Sequence, residues 1–481
     1  MKSYLQRFTV PHVFIFLSAI ILFCALLTYI VPSGEYNRTT RKVGEVIQTV
    51  VVPGSYEKLD KHFSLKGIIF GENLEGKASP TSILGLFTAI PKGLNQSAAL
   101  IFFVFTIGAV FNLIRHTGTV HVVIYWLMRR FQRFPNLLIL SIYLSIAILS
   151  SFMGMGQEFM PLIPLFMIIS KVNGYDRIFG LALFGLPFAL GWTSAITNPF
   201  TVQIAQKIAE VPIGSGIGMR VFVFIVLAAI GYLYLMRYGK RVKRDRSLSA
   251  MPDDAFILPD EDFTIKQKLE RKHILIMLTA ALLFGLILYA VQSMGWGLLE
   301  MTGGFFIVGV VTILISGMSG DESMKAFVKG LEIMIIPALV VGFARGIQVV
   351  MVEGQIIDTM LNFTAVALEK LPRFLAAEGM FIFQSFLNFF IPSASGQALV
   401  SMPLMTPLAD LLNISRQTSV LAYTLGDGLS NLIIPTSGFL MAILGLAEIP
   451  YEKWFRFVLP LFLILSFTGL IIIGIAVFIG Y

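Results

Sequence analysis

Long apolar runs alternate with shorter polar stretches along this chain. Runs at about 12–31, 97–115, 219–237, 273–292, 300–317, 331–350 and 457–480 come close to the roughly 20 residues that carry a helix across a bilayer. Four other apolar segments are interrupted. Segment 136–170 holds Gly154-Met155-Gly156-Gln157-Glu158, and segment 176–210 holds Thr193-Ser194-Ala195-Ile196-Thr197-Asn198-Pro199. Segment 374–412 holds Pro392-Ser393-Ala394-Ser395-Gly396-Gln397. Segment 416–446 holds Gly426-Asp427-Gly428-Leu429-Ser430-Asn431, followed by Pro435-Thr436-Ser437. The pairs Gly156-Gln157 and Gly396-Gln397 lie 240 residues apart. Hydrocarbon offers no water to an open backbone, so a broken helix persists only inside protein or beside a cavity. Interrupted segments in matching positions of two halves point to the binding site of a secondary transporter.

This order predicts an all-α polytopic membrane protein made of two inverted-topology repeats. Residues 1–240 form the first repeat, with a re-entrant hairpin at about 136–170 and a broken helix at about 176–210. Residues 241–270 form a cytoplasmic linker. Residues 271–481 form the second repeat, with a hairpin at about 374–412 and a broken helix at about 416–446. Segments 119–133 and 354–371 are too short to cross and read as interfacial helices. Gly320-Asp321-Glu322 reads as a cytoplasmic turn. Away from the breaks, Ala89-Ile90-Pro91-Lys92-Gly93-Leu94 parallels Ala326-Phe327-Val328-Lys329-Gly330-Leu331. With the hairpins not crossing, nine crossings remain, and their odd number sets the halves in opposite orientation.

Composition supports the class. Of 481 residues, 56% are hydrophobic and 13% charged, against about 25% charged in a soluble domain. The formal net charge of +8 comes from basic residues gathered at the ends of apolar runs. That is the positive-inside bias, and it argues against a nucleic-acid partner. Lys2 and Arg7 put the N-terminus inside, and the basic run 237–246 is cytoplasmic. Segment 32–80 and Tyr481 then lie outside. The first apolar run has no small-residue cleavage site and reads as a retained span. Cys24 is the one cysteine, so no intrachain disulfide forms.

The breaks carry the candidate chemistry. Half-helix N-termini favour anions and the opposite ends favour cations. Ser151, Gln157, Ser194, Thr197 and Asn198 form one polar cluster, and Ser393, Ser395, Gln397, Ser430, Asn431, Thr436 and Ser437 form its counterpart. Some of these cap broken helices, and others bind solute. Na+ is expected near Gly154, Thr197, Asn198, Ser393 and Asn431. Glu158, Asp427 and Arg345 are charges in apolar surroundings, each costing roughly 3 kcal/mol at bilayer depth. The two acids suit an ammonium, a guanidinium or a proton. Arg345 either grips a carboxylate bidentately or neutralises one of the acids. The five histidines sit at span ends or in loops, without metal-ligand neighbours. No phosphate-binding loop, zinc-protease helix or nucleophile elbow occurs. The chain therefore reads as no enzyme and as having no cofactor, driven by exchange or by a Na+ or H+ gradient. A membrane-embedded enzyme would need a catalytic constellation, and a channel would not need two facing broken spans.

Two strings reach a known family. Thr197-Asn198-Pro199-Phe200-Thr201-Val202, with Ile204-Ala205-Gln206, and Gly426-Asp427-Gly428-Leu429-Ser430-Asn431-Leu432-Ile433-Ile434-Pro435-Thr436-Ser437-Gly438 resemble the YfcC-type carriers. These belong with the anaerobic C4-dicarboxylate carriers and arginine/ornithine antiporters of the ion transporter superfamily. The resemblance runs through both repeats; segment 32–80 and the linker carry little of it. It implies a small-molecule transporter of a prokaryotic inner membrane, with inverted repeats and a homodimeric assembly. Where the family's hairpin often carries a second acid at its tip, this chain has Gln157 before Glu158. Two acids and one arginine suit a zwitterion with an extra positive charge. Exchange of a basic amino acid such as arginine or ornithine is therefore the expected function. A C4-dicarboxylate or short-chain carboxylate carried with Na+ or H+ is the alternative.

Overall fold

A computed structural model describes residues 13–43, 46–72, 76–120, 122, 134–252 and 270–481. Lys2, Arg7, most of the interfacial segment expected at 119–133 and most of the linker lie outside the described residues. In chain order the elements are α1 (Val13–Ile30), β1 (Ser33–Val43), β2 (Val46–Lys61), α2 (Leu65–Phe70) and β3 (Lys77–Ala78). Next come α3 (Ile83–Gln96), α4 (Ala98–His116), α5 (Pro135–Met153), a short 3-10 helix (Gln157–Leu162) and α6 (Ile163–Val172). The half ends with α7 (Arg177–Ser194), α8 (Val202–Ile208) and α9 (Ile217–Arg244). The second half holds α10 (Arg271–Met294), α11 (Leu298–Ser316), α12 (Gly320–Ile333), α13 (Ile335–Glu353) and α14 (Ile357–Glu369). It continues through α15 (Arg373–Phe390), α16 (Ala394–Leu411), α17 (Arg416–Ser430), α18 (Gly438–Leu446) and α19 (Tyr451–Ile479).

The four interruptions fall where polar residues enter the apolar runs: α5 to α6, α7 to α8, α15 to α16 and α17 to α18. Among the described residues, nine stretches are long and apolar enough to cross a membrane: α1, α4, α5, α7, α9, α10, α11, α12 with α13, and α19. Their membership differs from the nine crossings expected. The arm α5 qualifies, whereas α17 is only 15 residues long and carries Arg416, Gln417, Thr418, Ser419 and Asp427. Neighbouring helices shield that polarity instead, since every residue from Thr418 to Ser430 is buried.

Two expectations need correction. The fold is mainly helical but not all-α, because segment 32–80 folds as a sheet. Strands β1 and β2 pair antiparallel, and β3 joins β2 in parallel. The β-branched string Val46-Ile47 and Thr49-Val50-Val51-Val52 favours a strand. The hairpin is pinned to α14. The Arg38 guanidinium meets Asp358 at 2.9 Å, the Tyr36 N–H donates to Asp358 Oδ2 at 2.9 Å, and the Tyr56 hydroxyl meets Thr359 Oγ1 at 2.9 Å. Gly320-Asp321-Glu322 is the first turn of α12, not a loop. Ser319 accepts from the Glu322 N–H at 3.2 Å, and the two acids face the positive helix end.

The parallel strings at 89–94 and 326–331 sit in α3 and α12, two helices of 14 residues each. Each is followed at once by a helix of 19 residues. The pairs pack crosswise, α3 on α13 and α12 on α4. The matching glycines explain it. A Cβ on Gly93 would lie 2.3 Å from the Gly342 carbonyl oxygen, and one on Gly330 would lie 2.5 Å from that of Gly108. Small residues let membrane helices approach backbone to backbone. The broken helices α7 and α17 cross in the centre by the same device, where a Cβ on Gly428 would lie 2.5 Å from Thr193 Cα.

Candidate functional site

At the first pair of breaks the backbone leaves the helix through left-handed residues. Gly154 (φ 68°) ends α5 and Ala195 (φ 44°) ends α7. A side chain at φ > 0 is strained unless its surroundings hold it, and here the two breaks hold each other. Ser151 Oγ accepts from the Ile196 N–H at 3.1 Å and lies 3.0 Å from Ser194 Oγ. Thr197 Oγ1 donates to the Phe152 carbonyl at 2.9 Å. The Asn198 amide donates to the Ser150 carbonyl at 3.3 Å, while its Oδ1 accepts from the Phe200 N–H at 2.9 Å. The Glu158 carboxylate accepts from the Gly156 N–H at 2.7 Å.

The second pair is organised around amides of α15. Asn388 Nδ2 donates to the Asp427 carbonyl at 2.9 Å and to Ser430 Oγ at 2.8 Å. It also approaches Asn431 Oδ1 at 3.1 Å, and Asn431 Nδ2 returns a bond to the Asp427 carbonyl at 2.8 Å. Gln397 Nε2 donates to Gln384 Oε1 at 2.7 Å, tying α16 to α15. Ser393 and Ser437 cap α16 and α18. Trp192 links the two pairs, its indole N–H donating to Asp427 Oδ2 at 3.1 Å.

Between the pairs lies a cavity of about 330 Å³, at the small end of the roughly 300–1,000 Å³ usual for ligand pockets. Gln157, Glu158, Ser393, Ser395, Asn431 and Ser437 are its polar lining. Phe188, Trp192, Phe200, Phe439 and Trp454 supply aromatic walls. Among the described residues, Glu158 is the only charged one in the lining, and no Lys, Arg or His contributes to the wall. The N-terminal ends of α16 and α18 reach the cavity through Ser393 and Ser437. Such a site can hold a cationic group against Glu158 and aromatic faces, and a carboxylate against helix N-termini.

Of the residues singled out for substrate, Gln157, Glu158, Ser395 and Asn431 line this cavity, as do Gly154 and Ser393 from the expected Na+ positions. Ser194, Thr197 and Asn198 lie behind the wall and join breaks to each other. Gln397, Ser430 and Thr436 are buried in the second pair, outside the lining. Asp427 is fully buried behind Trp192. Arg345 donates to Gln96 Oε1 at 3.1 Å and lies outside the lining. It is not brought together with either acid. Residues missed by the sequence reading are the aromatic walls, Gln384, Asn388 and Arg220. Gln384 and Asn388 carried a signal, being two amides one helical turn apart in an apolar arm. Arg220 is fully buried beside Tyr481 and reaches Thr424 Oγ1 at 3.4 Å.

Comparison with known proteins gives a family match over residues 10–479, to the C4-dicarboxylate anaerobic carriers. The chain is 29% identical to YfcC of Escherichia coli (strain K12), which is provisionally named a basic amino acid antiporter, over 99% of this chain and 98% of that protein. It is 26% identical to an uncharacterised protein of Haemophilus influenzae, over 98% of both. Among solved structures, the Alcanivorax borkumensis YdaH transporter matches with a TM-score of 0.41 and 17% identity, over 98% of this chain and 99% of that one. Neisseria gonorrhoeae MtrF, described as an antimetabolite efflux pump, matches with a TM-score of 0.41 and 16% identity, over 98% and 96%.

Proposed function

Because the chain belongs to the C4-dicarboxylate anaerobic carrier family, we propose that it is a secondary transporter that exchanges a basic amino acid of the arginine or ornithine kind. The cavity lining carries the reading, with one carboxylate and no cationic side chain among the described residues. A solute with surplus positive charge fits that wall better than a dianion does. Glu158 takes the side-chain ammonium or guanidinium, supported by the aromatic faces. Gln157, Ser395 and Asn431 orient the solute. The α-carboxylate points to the N-terminal ends of α16 and α18. The name of the E. coli relative agrees with this reading.

The two interrupted pairs act as inverted repeats with re-entrant hairpins, moving about the central cavity by alternating access. Ser194, Thr197 and Asn198 keep the first joint in shape while Asn431 meets the solute. The basic run 237–246 faces the cytoplasm, the β-hairpin and the C-terminal Tyr481 face outward, and the N-terminus lies inside. The transporter works in the inner membrane as a homodimer.

A second reading is a C4-dicarboxylate or short-chain carboxylate carrier coupled to Na+ or H+. The family description and the two helix N-termini at the cavity favour it. Counterflow decides between them. Proteoliposomes preloaded with unlabelled arginine should accumulate labelled arginine or ornithine, while succinate leaves the uptake unchanged. Counterflow of succinate without counterflow of arginine would overturn the basic amino acid reading. Saturable counterflow of neither would overturn both.

A further inference from the structure

A second cavity lies against the tip between α15 and α16. It holds about 400 Å³, within the range usual for ligand pockets. Pro392, Ser393, Ala394 and Ser395 line the solute cavity, whereas Ile391 and Gly396 line this one. The tip is therefore a wall between the two. The other walls of the second cavity come from β1, the last turns of α13, and the start of α14.

The charges of this lining do not cancel. Arg38 and Asp358 answer each other, with Arg38 Nη2 at 2.9 Å from both carboxylate oxygens. Glu35 remains, and no other Lys, Arg or His belongs to the lining among the described residues. The Gln355 amide meets Glu35 at a long 3.4 Å. Glu57 stands directly opposite Glu35 in the sheet, and like charges so placed repel. Lys58 stands opposite Gly34, so the pleat turns it to the other face of the hairpin. From α13, the lining residue Gln348 has its Oε1 buried without a partner. The rim at Gln355 is strained, with φ 51°, and the Gly34 N–H holds it by donating to its carbonyl at 3.0 Å. A fixed cavity thus offers a surplus carboxylate and an amide oxygen that lacks a donor.

We propose that this cavity is a second binding site, separate from the solute cavity, for an organic cation bearing an ammonium or guanidinium group. Glu35 takes the positive group through charge-assisted hydrogen bonds, and Gln348 Oε1 accepts from a further N–H. That the occupant is the transported solute rests on the reading above; the binding itself does not. A solute held here stands one wall away from the central cavity.

The test places a thiol at the cavity as Val352→Cys, an exposed lining position. Cys24 is buried, and protein without the added cysteine gives the background. Purified protein is modified by methanethiosulfonates carrying either a trimethylammonium or a sulfonate group. Relative to a free thiol in solution, the cationic reagent should gain about tenfold over the anionic one, because an acidic cleft concentrates cations. Glu35→Gln should remove that preference. Agmatine, which carries an ammonium and a guanidinium but no carboxylate, should slow the modification saturably. It should do so equally in Glu158→Gln and not at all in Glu35→Gln. Gln348→Met should raise the half-protecting agmatine concentration about tenfold. A charge preference that is absent, or that survives Glu35→Gln, overturns the proposal. So does protection that disappears in Glu158→Gln, since agmatine would then sit in the solute cavity alone. If Val352→Cys fails to fold, Val400→Cys on α16, also in the lining, gives the same readout. Arginine counterflow is a separate measurement: its failure with protection intact sinks the transport reading and spares this site.

Discussion

Ser151, Ser194, Thr197 and Asn198 are all bonded across the first pair of breaks, each to the backbone or hydroxyl of its neighbour. Across the second pair, Asp427 Oδ1, Asn388 Oδ1, Gln397 Oε1 and Thr436 Oγ1 are buried without partners. Similar strings of serine, threonine and asparagine have thus been put to two uses. The first pair is a joint whose serines, Thr197 and Asn198 are bonded, with Thr201 Oγ1 left buried without a partner beside them. The second keeps acceptors in reserve, and a reserve of buried acceptors is costly unless something positive meets it. Polar residues at a helix break therefore do not by themselves mark a binding site. The distribution of satisfied and unsatisfied atoms separates the joint from the site.

Glu158 and Asp427 give the largest test of that contrast. Glu158→Gln should weaken arginine binding by more than about tenfold, since a hydrogen bond to a charged group contributes roughly 1.5–3 kcal/mol. Asp427→Asn should leave equilibrium arginine binding within about threefold, because its carboxylate lies behind Trp192. Isothermal titration on both variants checks this, and equal losses would erase the division of labour. The two asparagines come next. Asn198→Ala should lower the melting temperature clearly, as the loss of its bonds across the joint costs about 1–3 kcal/mol. Asn431→Ala should lower it less, because Asn388 still donates to the Asp427 carbonyl, and should chiefly raise the KM of exchange. Thermal denaturation and counterflow kinetics on the two proteins separate these outcomes. Arg38→Ala should cost about 1 kcal/mol, since its ion pair with Asp358 is partly exposed; thermal denaturation reads it, and exchange kinetics should not change. The smallest effect belongs to Arg345→Gln. Its partner is Gln96, outside the cavity, so arginine affinity measured by titration should match wild type.

Much of this was legible before the structure. All four interruptions follow from polar residues inside apolar runs, because bilayer depth forces an open backbone into protein. The parallel of 89–94 with 326–331 was visible too, although its cause, glycines at two helix crossings, needed the packing. Facing was not legible. Arg345 lies in an apolar span as Asp427 lies in a broken one, yet position along a helix does not say which neighbour a side chain meets. The β-hairpin was hidden by charge: Glu35, Arg38, Arg41 and Lys42 disguise a string rich in β-branched residues. Asn388 was overlooked beside the louder signal at 392–397, although an isolated amide in an apolar arm is itself a signal.

The crossing at Gly428 and Thr193 has a mechanical consequence. Gly428 lies so close that an added Cβ would meet both the backbone and the hydroxyl of Thr193, which leaves little room between α17 and α7 to absorb a displacement. Packed interiors transmit strain instead of yielding to it. The two halves therefore meet at a fulcrum, and a push delivered to either broken helix is felt by the other as torque. A molecule geared in this way has one lever to move, where two independent gates would have to be timed.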